Sequence, residues 1–207
     1  MLARPAAAAL HACLVAALVA AAACSTDPVH DAAVSALGAE APNVPAGQYH
    51  RAGQPCVVCH GSEGPANQQF SIAGTVFFGP ANGQPPARTS TPVGVGEVTV
   101  QLEDDSQSKF AVVTNCVGNF WVSPSDWSPQ FPVLVTIQGQ PQGTTLTKSM
   151  QSHIGRDPSC SSCHQYPTNL NYFETPGLVY LSATDDAKFT GDPSCAFSPV
   201  PAGYGGP

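Results

Sequence analysis

The chain has 207 residues, 43% of them hydrophobic and only 10% charged, with 21 prolines and 19 glycines. Few charges among many turn-forming residues argue against long solvated helices and for short strands joined by turns, built on a packed core in one or two domains. The formal charge of −7, with no basic stripe, argues against a nucleic-acid partner.

The first element in chain order is an export signal over residues 1–23. Arg4 supplies a positive start, residues 6–23 are almost all Ala, Leu and Val, and Ala21-Ala22-Ala23 is a small-residue cleavage region. Read instead as an uncleaved anchor, the run is short and only weakly apolar. Ala21-Ala22-Ala23-Cys24 resembles a bacterial lipobox, departing from it at Ala21, where Leu is usual. The resemblance implies lipidation at Cys24. Ser25 and Thr26 lack the Asp that marks inner-membrane retention, so an outer-membrane lipoprotein facing the periplasm or cell surface is expected. Several acyl chains make a stable anchor. Simple cleavage into the periplasm is the alternative. Losing Arg4 with the signal takes the charge to −8.

Residues 24–48 are small, polar and Pro-containing, and read as a flexible tether with a short helix over 31–37. Residues 49–69 contain Cys56-Val57-Val58-Cys59-His60, and residues 150–196 contain Cys160-Ser161-Ser162-Cys163-His164. Both read C-x-x-C-H, the attachment spacing for haem c. Two thiols one helical turn apart can each add to a vinyl group on one porphyrin edge, and the adjacent His then meets the iron from one face. The expectation is two covalent haems, held by Cys56, Cys59, Cys160 and Cys163, with His60 and His164 as proximal ligands. Two other outcomes are open: zinc bound by pooled ligands, or CxxC disulfides.

A sixth ligand for each iron is sought among His and Met. His50 lies six residues before Cys56, and His153 lies seven before Cys160. Such a segment spans about 20 Å at about 3.3 Å per residue, enough to wrap to the distal side of a haem. His50 and His153 are therefore the favoured distal ligands, each on its own haem or exchanged between the two. His30 and Met150 are substitutes, and a solvent-exposed loop histidine is the bland alternative.

Between the motifs, residues 70–149 alternate apolar and polar. Phe70, Ile72, Val76 and Phe78 come first, then Val98, Val100 and Leu102, Phe110 and Val112, Phe120 and Val122, and finally Val133, Val135 and Ile137. Period-two alternation with regular turns predicts an antiparallel sandwich, hence a mainly-β fold. Ile72-Ala73-Gly74-Thr75-Val76, Val98-Thr99-Val100, Thr114 to Phe120 and Phe131-Pro132-Val133-Leu134-Val135 together resemble a carboxypeptidase-regulatory, transthyretin-like, Ig-like sandwich, with Cys116-Val117 as extra residues before Gly118. That resemblance implies a fold and no catalytic site.

Cys116 and Cys195 are left over as an even pair. In an oxidising compartment they are candidates for a disulfide, with two buried thiols as the alternative. Asp192-Pro193-Ser194-Cys195 echoes Asp157-Pro158-Ser159-Cys160 without the rest of the motif, and residues 197–207 read as a disordered tail. Trp121, Trp127, Tyr166, Tyr172 and Phe173 are expected to pack the core or haem edges.

The chain as a whole is similar to a dihaem c-type cytochrome lipoprotein. This implies electron transfer with redox protein partners at the cell envelope. A dihaem peroxidase-like enzyme and a surface-binding module with haem as redox sensor are the competing expectations. With His50 and His153 both to hand neither iron need stay open, which favours the electron carrier. The acidic charge calls for a basic partner surface.

Overall fold

A computed structural model describes residues 27–40, 44–79, 93–141, 143–164, 176–182 and 195. The signal, Cys24, Tyr166, Tyr172, Phe173 and the tail lie outside the described residues. The chain divides after Ala36 into two units. The described part of the first is helix α1, Pro28–Ala36. It starts three residues before the expected Asp31 because Asp27 is its cap. The Asp27 carboxylate accepts the backbone N–H of Val29 at 3.0 Å and of His30 at 3.1 Å, and Pro28 occupies the first helical position, where a missing N–H costs nothing.

The second unit is mainly β, in two antiparallel sheets. One pairs β1, Ile72–Thr75, with β4, Asn119–Val122. The other has the order β3-β2-β5-β6, formed by β2 (Thr99–Glu103), β3 (Lys109–Val113), β5 (Leu134–Gly139) and β6 (Leu146–Ser149). The register follows the alternation. Val100 faces Ile137 and Leu102 faces Val135, all four buried, while Thr99, Gln101 and Glu103 lie on the other face. Ile72, Phe120 and Val122 of the smaller sheet share one hydrophobic core with Val98, Val100, Leu102, Val135 and Ile137. β6 was not evident from alternation. It is an edge strand with one partly buried apolar residue, Leu146, so its pattern carries little hydrophobic signal.

β1 has neighbours on both edges. Ala73 pairs with Trp121 of β4 on one side, while on the other its N–H reaches the Pro158 carbonyl at 3.0 Å and it bridges Ser159. Further along, the Phe77 N–H bonds Val179 O at 2.8 Å and the Leu181 N–H bonds Phe77 O at 2.9 Å. The segments before and after the second motif thus run beside the β1 edge. A second, smaller core of Ala52, Phe77, Val117, Leu178 and Cys195 lies under them, flanked by Tyr49, Cys116 and Tyr180. Cys116 and Cys195 are joined in a disulfide at its margin.

Candidate functional site

Each C-x-x-C-H run forms a single helical turn. The first is α2, Cys56–His60, and the second is α3, Cys160–Cys163, followed directly by His164. The Val58 N–H bonds Pro55 O at 3.0 Å, and the His164 N–H bonds Cys160 O at 2.8 Å. One turn places each cysteine pair, three residues apart, on a common face. The four motif cysteines are unpaired.

The motifs, 104 positions apart in sequence, come together at β1. A Cβ built at Gly74 would stand 2.7 Å from Cys160 Cβ and 2.8 Å from its Sγ, so Cys160 lies directly on the strand. The buried Ser159, which precedes α3, accepts the Val57 N–H of α2 on its Oγ at 3.4 Å. Burial pushes the Cys56 thiol up to about 11. Burial, with a smaller contribution from the neighbouring Cys56, pushes Cys160 up to about 12. Burial also raises Cys59. These sulfurs are held as protonated thiols at neutral pH, the opposite of a thiolate poised for disulfide exchange.

Both motif histidines are oriented through Nδ1. His60 Nδ1 lies 2.7 Å from the Gln68 carbonyl oxygen, and His164 Nδ1 lies 2.9 Å from that of Gly177. A carbonyl only accepts, so Nδ1 carries the proton in each ring and Nε2 keeps a lone pair for a ligand bond. The Phe70 N–H bonds His60 O at 2.8 Å, closing the loop after α2, and the Phe70 ring stacks on the His60 imidazole at 4.1 Å. Trp121 in turn stacks on Phe70, with ring centroids 5.8 Å apart.

His50 is brought to this site. Its ring centroid lies 5.9 Å from that of His60. Its turn hangs on a polar chain from the sheet. Thr75 Oγ1 accepts the Gly53 N–H at 2.8 Å and donates to Asn119 Oδ1 at 2.8 Å, and Asn119 Nδ2 donates to His50 O at 3.0 Å. Burial lowers the His50 pKa, only partly opposed by Glu40, while His60 and Arg51 lower it further. The imidazole is therefore neutral at pH 7, the form that binds metal.

The other distal candidates are placed differently. His153 is exposed, and among the described residues it has no hydrogen bond or ion pair. Met150 packs against the main core. His30 lies on α1 in the other unit, and its Nε2 has no hydrogen-bond partner among the described residues. No group of three or more His, Cys, Asp or Glu is arranged to hold a metal ion among the described residues. None of the described helices is long and apolar enough to cross a membrane.

Three supporting groups were not evident from sequence. The carbonyls of Gln68 and Gly177 carry no side-chain signature. Glu40 lies ten residues from His50 in a stretch that reads as tether. No protein-family model matches the chain, and no curated protein and no solved structure is found similar to it.

Proposed function

We propose that the chain is an exported dihaem c-type cytochrome that transfers electrons at the cell envelope, anchored in the outer membrane through a lipidated Cys24. The observation that carries the reading is the meeting of two C-x-x-C-H turns at one strand, each with its histidine Nδ1 tied to a backbone carbonyl and Nε2 free. The donor set fits haem c. Cys56 and Cys59, and Cys160 and Cys163, would form the thioether bonds, while His60 and His164 would bind iron. Haem supplies a one-electron couple when bound. The protein supplies undissociated thiols, two imidazoles of fixed tautomer, and an aromatic stack of Phe70 and Trp121 that holds the His60 ring. His50 beside His60 would offer that iron a second imidazole, which favours electron transfer over an open catalytic iron. The two antiparallel sheets with a shared core are read as an Ig-like, transthyretin-like sandwich that serves as the scaffold. The acidic chain is expected to meet a basic surface on its redox partner.

The test uses full-length protein made in a host that matures haem c. A pyridine-haemochrome assay with intact mass is expected to give two covalent haems per chain, and one in a Cys56→Ser/Cys59→Ser variant. Two low-spin ferric haems fit the electron carrier, and one high-spin haem fits a peroxidase-like enzyme. A colourless mature chain whose mass is only polypeptide and lipid overturns the reading. Palmitate labelling that persists in Cys24→Ser removes the anchor.

A further inference from the structure

His50 Nδ1 has two neighbours of opposite character. The Gly47 backbone N–H donates to it at 3.2 Å, and the Glu40 carboxylate stands 3.6 Å away. With the first contact, the proton of the neutral ring sits on Nε2 and blocks a ligand bond there. With the second, the proton moves to Nδ1, facing a carboxylate that only accepts, and Nε2 is freed. Gly47 makes the hydrogen bond in this structure and Glu40 stands just beyond hydrogen-bonding distance, so a small approach of the carboxylate with a proton relocation within one ring decides whether His50 can act as a ligand. No change of fold is required.

Glu40 is not at this spot by accident of a loose side chain. Its Oε1 also accepts Arg51 Nε at 2.9 Å, and Arg51 ties the same stretch down through the carbonyls of Leu37 at 3.1 Å and Gly38 at 2.7 Å. A fourth Arg51 contact, to Gln54 Oε1 at 2.7 Å, joins this clamp to the turn that leads into Cys56. An isolated surface ion pair contributes little to stability. Here the pair adjoins His50, the residue preceding Arg51, whose side chain is mostly buried.

We infer that Glu40 is the positioning residue of His50: its carboxylate takes the proton side of Nδ1, selects the tautomer with a free Nε2, and by its negative charge makes that nitrogen a stronger donor to ferric iron. The inference rests on the proposed haem at the first motif and goes beyond it by assigning a residue that tunes that site alone. A carboxylate behind a liganding imidazole raises its basicity and favours the more highly charged metal.

The test is Glu40→Gln in the holoprotein, because Gln keeps an oxygen for Arg51 and loses only the charge. Both haems are expected to stay low-spin. One of the two midpoint potentials should rise, by a shift equivalent to about a tenfold change in the ferric/ferrous equilibrium, about 59 mV for one electron. The other should stay put. Glu40→Asp, which retains the charge, should return the potential most of the way. Unchanged potentials in Glu40→Gln overturn the inference, as do equal shifts in the Gln and Asp variants. His50→Ala separates the two levels of failure. If it makes one haem high-spin while Glu40→Gln does nothing, His50 is a ligand and Glu40 has no part. If it leaves both haems low-spin in a dihaem protein, the inference falls and the cytochrome reading stands. If neither variant nor parent holds haem, the cytochrome reading falls.

Discussion

A single carboxylate shows how the sheet is closed at its far end. Asp104 is buried at the turn from β2 to β3. One oxygen accepts the Ser106 N–H at 3.0 Å, the Ser106 hydroxyl at 2.6 Å and the Ser108 N–H at 3.0 Å, and the other accepts the Gln130 N–H at 3.0 Å. These bonds hold the carboxyl below its ordinary value, with the Gln130 N–H the largest cause and the Ser106 hydroxyl next. The sign follows from linkage. A carboxyl depressed in the folded state stabilises the fold above the unfolded carboxylate pKa, and that stabilisation is lost as pH falls through the folded value. Wild type should therefore lose denaturation midpoint on acidification below about pH 4, the ordinary carboxylate range. Asp104→Asn, which cannot ionise, should be less stable at pH 7 and lose less on acidification. Parallel pH profiles for the two proteins would show that this turn does not depend on the charge.

At the scale of elements, β1 seats both motifs, and Gly74 is the residue that lets it do so. A methyl group there meets Cys160 Cβ at 2.7 Å and the Phe120 ring at 3.1 Å. Overpacking of this kind costs about 1–3 kcal/mol. Gly74→Ala should lower the denaturation midpoint and, if the motifs hold haem as proposed, deplete the second motif's haem more than the first's, because the added methyl displaces Cys160 directly. Intact mass of the purified chain reads this directly; full double occupancy with an unchanged midpoint would refute it. Alternation made the strands legible, since Val100 and Leu102 announce both the face and the period of β2. That β1 in particular is the strand on which the motifs meet was not legible, because it depends on a backbone bridge from Ala73 to Ser159 and on the absence of a side chain at position 74. That His50 stands near the first motif was legible from its distance to Cys56. Its setting was not, for Glu40 reaches it only because Arg51, in the left-handed region at φ 49°, folds its guanidinium back over residues 37 and 38.

At the scale of the molecule, the small core is where the parts of the site depend on one another. Tyr49 and Ala52 flank and enter it from the turn that carries His50, Leu178 from the residue after the Gly177 carbonyl that holds His164, and Val117 from the turn between β3 and β4. The Cys116–Cys195 bond fastens the chain beyond the second motif to this core, with a sequence separation of 79. Closing a loop of that size contributes about 4.5 kcal/mol by chain entropy. Substituting Cys116→Ser/Cys195→Ser should lower the free energy of unfolding by about that amount. Cys195 is itself a buried core residue, so its replacement by a hydroxyl adds a packing loss beside the lost crosslink. Because the same core underlies the turns of His50 and Gly177, the two haem environments, if the motifs hold haem as proposed, should change together in the Ser variant, seen as broadened low-spin signals from each iron. A variant with the full stability of the parent, and two unaltered haem spectra, would mean that the site holds itself together without the bridge.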